Sequence, residues 1–182
     1  AIEMTDEAFL NELQGGVLDK FYTFLATGTL TSTESTFQMG LAMAIGRVKN
    51  KFKAMRRTSN GIVAFVNTLD AYKYLGAAEL SVQTAFGIDY LKNFMGAGTV
   101  ILSSDIAEGK IIATPVENIV MYYVDPSNEG FQSLGLVYTV DEASETPLIG
   151  FHANGDYSHA VGESYALMGL TLFAEYLDAV AL

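Results

Sequence analysis

The most constraining feature of the sequence is a short apolar run, Ile62–Val66, which leads directly into a polar turn and a helical pattern within Gly61–Leu75. Five apolar residues, three of them β-branched, are too few for a buried helix and suit a buried strand. Asn67 and Thr68 end the run and can cap the following helix, and Asp70 lies near the positive end of its dipole. A strand buried on both faces needs a layer on each side, and the flanking segments must supply those layers.

The composition limits the class of protein. The chain has 182 residues, of which 50% are hydrophobic and 17% charged, so it fits one domain or one domain with a smaller lobe. This apolar composition indicates either surface buried against partners or burial inside a large core. The chain has no cysteine, no apolar run of about 18 residues and no visible signal peptide. Disulfides, thiolate metal sites and a membrane location are therefore not expected, and a start without Met suggests a processed product or a fragment.

Two amphipathic helices are predicted before the central strand. The first spans Thr5–Leu25 and the second runs from about Thr36 to Met55, with a Thr- and Ser-rich linker at Leu25–Ser35 between them. In both helices the large apolar residues recur every three or four positions. The apolar stripe of the second helix consists of Phe37, Leu41, Ile45, Val48, Phe52 and Met55.

Positive charge is concentrated in the C-terminal half of the second helix. Six of the ten Lys and Arg residues lie in eleven consecutive positions that hold no acid. Removing these six charges from the net charge of -11 leaves -17 on the rest of the chain. Two interpretations stay open: a solvated helix face, or a contact with acidic surface on a neighbouring copy of the chain. The overall negative charge argues against broad phosphate binding. The candidate subunit-interface residues are Arg47, Lys49, Lys51, Lys53, Arg56 and Arg57.

Beyond the central strand and its helix, the pattern alternates between strands and loops. Ser81–Met95 is predicted as a further amphipathic segment that Gly96–Gly98 stops. Asn154–Gly155 between two apolar runs predicts a tight hairpin, and Tyr165–Leu182 fits either a strand or a helix, with a strand preferred. Further strands are predicted at Thr99–Leu102, Ile111–Ala113, Ile119–Val124 and Leu134–Val140. Surface loops are marked by Asp105–Lys110, Pro126, Gly130, Asp141, Glu142 and Glu145.

One set of polar residues has the spacing of metal ligands on a helix. These residues are His152, Asp156, His159 and Glu163, spaced by four, three and four. The Asn154–Gly155 turn breaks such a helix, and in a two-residue hairpin His152 would face Tyr157 and lie diagonal to His159. A half-exposed polar hairpin is therefore the preferred interpretation, and no metal site is predicted.

Other polar motifs also lack the pattern of an active site. Asp70 beside Asn67 is interpreted as a structural corner, since carboxylates at helix starts usually act as caps. Gly96–Gly98 lacks the spacing of a dinucleotide-binding loop and precedes a strand instead of following one. Glu163–Tyr165 is not a nucleophile elbow. No catalytic, metal-binding or cofactor-binding residue is predicted.

Three local features, taken in order, carry a resemblance to a known family. They are Gly61–Asp70 with the short helix that follows, the segment Phe94–Asp125 with its glycine-containing turn and second short strand, and Leu167–Leu182 with its single glutamate, Glu175. The order of elements from Thr5 onward resembles the major capsid protein of tailed bacteriophages, a family that includes the encapsulins.

This resemblance implies an α+β fold of the tailed-phage major capsid type. Its apical domain has a central β-sheet flanked by helices, and part of a peripheral domain contributes a spine helix and β-strands. By this comparison residues 1–30 belong to the spine helix of the peripheral domain, 31–147 form the apical domain, and 148–182 return to the peripheral domain. The family normally has an N-terminal arm and an extended loop before the spine helix, and this chain shows neither. We therefore expect this polypeptide alone to be monomeric or to form small oligomers.

The function implied by the resemblance is structural and not enzymatic. The chain would be a subunit of an icosahedral phage or prophage capsid, assembled with copies of itself into hexamers and pentamers. It would lie near packaged DNA without binding it specifically, with no membrane or small-molecule partner, in the virion capsid and, during assembly, in the host bacterial cytoplasm. Two alternatives stay open: an encapsulin-type shell around a cargo enzyme, and a small enzyme with a hydrolase-like α/β core. The enzyme would need clustered carboxylates or a histidine in a perturbed environment.

Overall fold

The fold is α+β, as the sequence predicts. A computed structural model describes residues 15–76, 82–85, 88–125, 139–140, 149–156, 158–159 and 161–182. The chain divides into two compact units, one formed by Asp19–Val120 with Phe173–Leu182 and the other by Ala1–Leu18 with Met121–Leu172. The three-part domain assignment implied by the resemblance concerns the domains of the capsid family, and it stays a prediction.

Several sequence predictions lie outside the described residues. They concern the part of the predicted first helix before residue 15, most of the predicted strand Leu134–Val140, and the loop markers Pro126, Gly130, Asp141, Glu142 and Glu145.

The described helices occur where the apolar periodicity predicts them. They are α1 (residues 15–25), α2 (Phe37–Ala54) and α3 (Thr68–Leu75), with short 3-10 helices at Val116–Asn118 and Leu177–Ala179. Thr36 caps α2, since its hydroxyl accepts a hydrogen bond from the backbone N–H of Met39 at 3.2 Å. Among the described residues, no helix is long and apolar enough to cross a membrane.

The larger unit is built on a five-stranded mixed sheet. Its strands are β1 (Ile62–Asn67), β2 (Gln83–Ala85), β3 (Ile88–Lys92), β4 (Thr99–Ser103) and β5 (Ile111–Pro115). Their order is β2-β3-β4-β1-β5. The central strand β1 runs parallel to β4 and antiparallel to β5, so it has a hydrogen-bonded neighbour on each side. The strands predicted at Ile62–Val66, Thr99–Leu102 and Ile111–Ala113 are confirmed.

Both faces of β1 are covered, and all six of its residues are buried. Ile62, Ala64 and Val66 belong to the core cluster that α2 and α3 also build. Because side chains alternate along a strand, Phe65 points to the opposite face, where the rings of Phe21 and Tyr22 from α1 lie 5.7 and 5.5 Å from its ring. The prediction of a layer on each side of this strand is thus confirmed.

Residues 180–182 add a short pairing at the edge of the same sheet. Ala181 and Ala113 of β5 exchange two backbone hydrogen bonds of 3.0 and 2.8 Å. On the other side of this segment, the N–H of Leu30 donates to Val180 at 3.2 Å and the N–H of Leu182 donates to Leu30 at 3.0 Å. The linker before α2 and the last residues of the sequence therefore pack together beside β5.

The second sheet has four described strands in the order β6-β9-β8-β7. They are β6 (Ile119–Val124), β7 (Thr139–Val140), β8 (Ile149–Asp156) and β9 (Val161–Ala174). The strand predicted at Ile119–Val124 is confirmed. For the ambiguous Tyr165–Leu182, the preferred strand is correct up to Ala174, after which Leu177–Ala179 forms a 3-10 turn.

The prediction of one continuous amphipathic segment over Ser81–Met95 is wrong, because this part of the chain forms the β2–β3 pair. Val82, Phe86 and Tyr90 are spaced by four, which indicates a helix face. A spacing of four is also a multiple of two, so it equally fits one face of a strand. The pairing of β3 with β4 supplies the hydrogen-bond partners that fix this segment as extended.

The tight hairpin predicted at Asn154–Gly155 is also wrong. Both residues lie inside β8, opposite Glu163 and Gly162 of β9, and the ladder continues to the pair Asp156 and Val161. The turn falls later, at residues 158–159. The long ladder with β9 therefore sets the register and overrides the local turn preference of the Asn-Gly dipeptide.

Candidate functional site

The basic half of α2 lies opposite a well-buried helix face. Leu41, Ile45, Val48 and Phe52 are buried against the sheet of the larger unit, and these four positions repeat every three or four residues. The lysines and arginines interleaved with them therefore fall on the outer side of the helix. The predicted apolar stripe and the predicted concentration of charge thus occupy different sides of α2.

The C-terminus of α2 is closed by two backbone hydrogen bonds. The N–H of Arg56 donates to Lys53 at 2.9 Å, and the N–H of Arg57 donates to Phe52 at 3.0 Å. This is the pattern of a Schellman motif, in which the residue after the cap takes a left-handed conformation. Arg56 occupies that position with φ 56°, where glycine is usual. The turn directs the chain, and with it Arg57, away from the helix axis.

Two of the six basic candidates are paired with acidic or aromatic side chains of the same unit. Lys51 forms an ion pair of 2.7 Å with Asp178. Arg57 donates to the Tyr176 hydroxyl at 2.6 Å, lies 4.5 Å from the centre of that ring, and approaches Glu175 at 3.7 Å. A hydrogen bond with Glu175 raises the pKa of Tyr176, and the nearby Arg57 charge opposes that rise. Residues 175–178 therefore neutralise part of the basic helix end within the chain itself.

A buried asparagine, Asn118, holds this acidic segment in place. Its side-chain amide donates to the Tyr176 carbonyl and to the Thr114 hydroxyl, both at 2.9 Å. Its side-chain carbonyl accepts from the Tyr176 N–H at 2.9 Å, and its backbone carbonyl accepts from the Glu175 N–H at 2.8 Å. Asn118 itself has no exposed surface, its bond with Thr114 is buried, and its side-chain bonds with Tyr176 are partly buried. These bonds hold Glu175 and Asp178 in the position from which they contact the C-terminal end of α2.

The other four basic candidates are exposed. Arg47, Lys49, Lys53 and Arg56 have no ion-pair partner among the described residues. Lys49 and Lys53 line an open groove of about 590 Å³ together with Arg57, whereas Arg47 and Arg56 are not part of its lining. The six candidates therefore differ in their surroundings. Lys51 and Arg57 are paired within the chain, Lys49, Lys53 and Arg57 line the groove, and Arg47 and Arg56 do neither. Whether they form a subunit interface stays a prediction.

The two residues of the predicted structural corner, Asn67 and Asp70, hold the β4–β5 turn against α3. The side chain of Asn67 accepts from the Leu69 N–H at 2.8 Å and donates to the Ile106 carbonyl at 2.6 Å. Asp70 accepts from the Gly109 N–H at 2.6 Å. Both contacts join the β4–β5 turn to the start of α3. Asn67 is thus the cap of α3, and Asp70 ties down the turn that follows β4.

A charged pair lies beside this corner. Lys73 lies 2.8 Å from Glu108 and 3.6 Å from Asp70. The hydrogen bond with Glu108 is the largest of the effects that raise the pKa of Lys73. The lysine is exposed, so the pair adds little to stability.

The four residues with metal-ligand spacing do not share a helix face, because they lie on or between two strands. His152 is paired with Tyr165, and Glu163 with Asn154. His159 lies in the turn, where its Nδ1 is 2.9 Å from the Ser158 hydroxyl. Among the residues that the structure describes, no group of three or more His, Asp or Glu side chains is arranged to hold a metal ion.

Sequence reasoning did not identify the residues that pair with the basic helix. In the sequence Glu175 is marked only by its place in the closing strand, and no pattern marks Asn118, Tyr176 or Asp178. The opposite charges of α2 and of Glu175 and Asp178 are the signal that could have indicated such a contact. It does not specify that Lys51 meets Asp178, since 127 positions separate them.

Comparison with known proteins gives a fold and no family. No family model matches the sequence, and no curated protein matches it. The architecture is a capsid-like shell fold. It is similar to the crystal structure of a virus-like particle from Pyrococcus furiosus, with a TM-score of 0.55 and 11% sequence identity. The match covers 96% of this chain and 62% of that protein, so this chain spans less than two thirds of its neighbour's length.

Proposed function

We propose that this chain is a structural subunit of a protein shell, assembled by self-association, and more specifically of an icosahedral phage or prophage capsid. The observation that carries the proposal is the fold match over 96% of the chain to a protein described as a virus-like particle. The order of sequence motifs, which resembles the major capsid protein of tailed phages, supports the finer assignment. Function would then reside in contacts between copies, and no catalytic residue is needed.

The charge distribution supports copies of the same chain as partners. A protein with a net charge of -11 repels nucleic acid over most of its surface, so we propose proximity to packaged DNA without specific binding. The basic end of α2 is attracted to the acidic surface that every other copy presents. The proposed locations are the virion capsid and, during assembly, the cytoplasm of a bacterial host.

An encapsulin-type shell is the second candidate. It is favoured by the same structural match, because the name of that neighbour states a virus-like particle and no phage. The hydrolase alternative gains no support from the basic end of α2, because the contacts described there are structural pairings and not an arrangement of catalytic groups.

Self-association of the purified 182-residue chain tests the proposal. Light scattering coupled to size-exclusion chromatography should show a mass that rises with protein concentration, because contacts between copies obey mass action. Small oligomers are the expected result for this chain alone, and the absence of this sequence from shell particles isolated from the source cells would contradict the proposal.

Particles isolated from the source cells distinguish the two kinds of shell. Mass spectrometry would identify this chain in the particles, and their contents would then be analysed. Particles that hold DNA and carry tails support the phage capsid. Particles that enclose a protein cargo and no DNA support the encapsulin-type shell and contradict the finer assignment.

A further inference from the structure

The groove at the C-terminal end of α2 is positively charged in an otherwise acidic protein. Three cationic side chains, Lys49, Lys53 and Arg57, line it, and none of its lining residues is acidic. We call this site the basic groove. The rest of the chain outside the basic segment sums to -17, so the groove differs in sign from most of the molecule.

The charge in the basic groove is only partly satisfied. Arg57 contacts Tyr176 and Glu175, but Lys49 and Lys53 have no ion-pair partner among the described residues. On the same helix Lys51 is paired with Asp178. Residues 175–178 therefore neutralise Lys51, but they do not pair with Lys49 or Lys53, the two lysines that line the groove. Two lysine charges are therefore available to an outside carboxylate.

Part of the groove lining comes from the β3–β4 turn. In this turn Asn93 and Gly96 have φ values of 51° and 89°. A Cβ built on Gly96 meets no atom within 4 Å, so this part of the lining is open above the glycine. The side chains of Asn60 and Asn93 add amide groups to the lining, which can hydrogen bond with an extended peptide.

We propose that the basic groove binds an acidic segment of a second copy of this chain. The inference rests on the proposed function and names the contact by which one subunit would recognise the next. Charge complementarity favours this occupant, because each copy carries 21 acidic residues and the groove presents lysines without an ion-pair partner among the described residues. A nucleic acid is the less suitable occupant, because the surrounding negative charge repels its phosphates.

Such a contact joins two different surfaces, since a basic groove on one copy meets an acidic segment on the next. Repeated head to tail, such a contact is heterologous and generates a ring when the rotation closes. Formed twice in one pair, with the groove of each copy on the acidic segment of the other, it gives a two-fold dimer. The mass of the oligomers distinguishes the two arrangements.

The test compares self-association of the wild-type chain with that of a groove variant and a matched control. The groove variant is K49E/K53E. The control is K20E/K110E, which makes the same change in net charge at exposed lysines outside the groove. Circular dichroism and thermal melting verify that all three proteins are folded. Association is measured by sedimentation velocity at low and high salt, and the mass of the oligomers shows whether they are dimers or larger rings.

The groove variant should associate at least about tenfold more weakly than wild type and lose its salt dependence, while the control keeps both. If wild type associates and the groove variant associates equally well, the basic groove is not the contact and the proposed function stands. An equal loss of association in both variants would also overturn the groove as the contact, since the change in net charge alone would explain it. A wild-type chain that never associates overturns the groove as the contact between copies, and the proposed function is then decided separately by the particles isolated from the source cells.

A binding experiment on the monomeric fraction distinguishes the ligands. An oligoglutamate peptide, inorganic phosphate and a short DNA duplex are titrated separately into wild type and K49E/K53E. Binding of the peptide to wild type, with at least about a tenfold loss in the variant, supports the proposal. Preference for phosphate or DNA over the peptide would overturn it.

Discussion

Replacing Asn118 by alanine should detach the acidic segment from the larger unit. The substitution removes a side chain with no exposed surface, together with its bonds to both backbone groups of Tyr176 and to the Thr114 hydroxyl. Thr114 keeps a second contact, because its hydroxyl also donates to Ala179 at 3.3 Å. The backbone N–H and carbonyl of Tyr176 are therefore the groups that lose these partners.

The size of the effect follows from these two groups. Leaving a buried polar group without a partner costs about 1–3 kcal/mol, and the lower half of that range applies because the contacts to Tyr176 are only partly buried. Two such groups give a destabilisation of about 2–4 kcal/mol before the lost packing of the asparagine is added. This is a large share of the roughly 5–15 kcal/mol by which domains are stable.

Urea denaturation followed by circular dichroism measures the change in the free energy of unfolding. Hydrogen exchange at the amides of Glu175 and Tyr176 reports whether the loss is local, and both should exchange faster in the variant. Asn60→Ala is the control, because this exposed asparagine is bonded through its backbone N–H and should change stability by less than about 0.5 kcal/mol. If Asn118→Ala changes stability as little as the control does, the reasoning about this buried amide is wrong.

Three further predictions concern local packing and pH. Gly28→Ala should destabilise by about 1–3 kcal/mol in urea denaturation, because a Cβ there would lie 2.8 Å from Val180, including its carbonyl oxygen. Gly46→Ala, inside α2 with no atom within 4 Å of its Cβ, should stabilise by about 0.5–1 kcal/mol, and a loss of stability there would contradict the open surface. The Asn60 N–H lowers the pKa of Glu117 below its ordinary value of 4.5, so the stability from this bond is complete above that value and is lost as the pH falls through the folded-state pKa. Glu117→Gln should therefore reduce the dependence of stability on pH between about pH 7 and about pH 3, and an unchanged dependence would refute this assignment.

The elements that the sequence predicts well are those whose signals are local and agree with one another. In α2 the apolar period and the basic end both indicate one helix, and in the structure Thr36 caps it. In β1 a short β-branched run followed by Asn67 is typical of a strand that leads into a helix, and the structure has that order. The prediction for the segment containing β2 and β3 is wrong because its apolar spacing fits both the helical period and the strand period. The Asn154–Gly155 turn failed because a long ladder decided the register.

The sequence predicts where the positive charge of the candidate site lies, but not which of its side chains form ion pairs. Local composition identified the basic end of α2, because its six cations stand close together in the sequence. Which of them are neutralised depends on Asn118, which positions Glu175 and Asp178 through bonds between distant segments. Side-chain partners separated by more than 100 positions leave no periodic signal in a single sequence. The groove likewise depends on a turn between β3 and β4 that was not predicted to face α2.

The pairing of Ala181 with Ala113, beside Leu30, has a consequence for the order of events during translation. A ribosome releases β5 well before residue 181, so the outer edge of this sheet stays without that partner while the rest of the chain is made. An open strand edge is a template for pairing with other chains. Residues 180–182 therefore close an edge that each nascent copy exposes until they are made, and in that interval another nascent chain can pair with it.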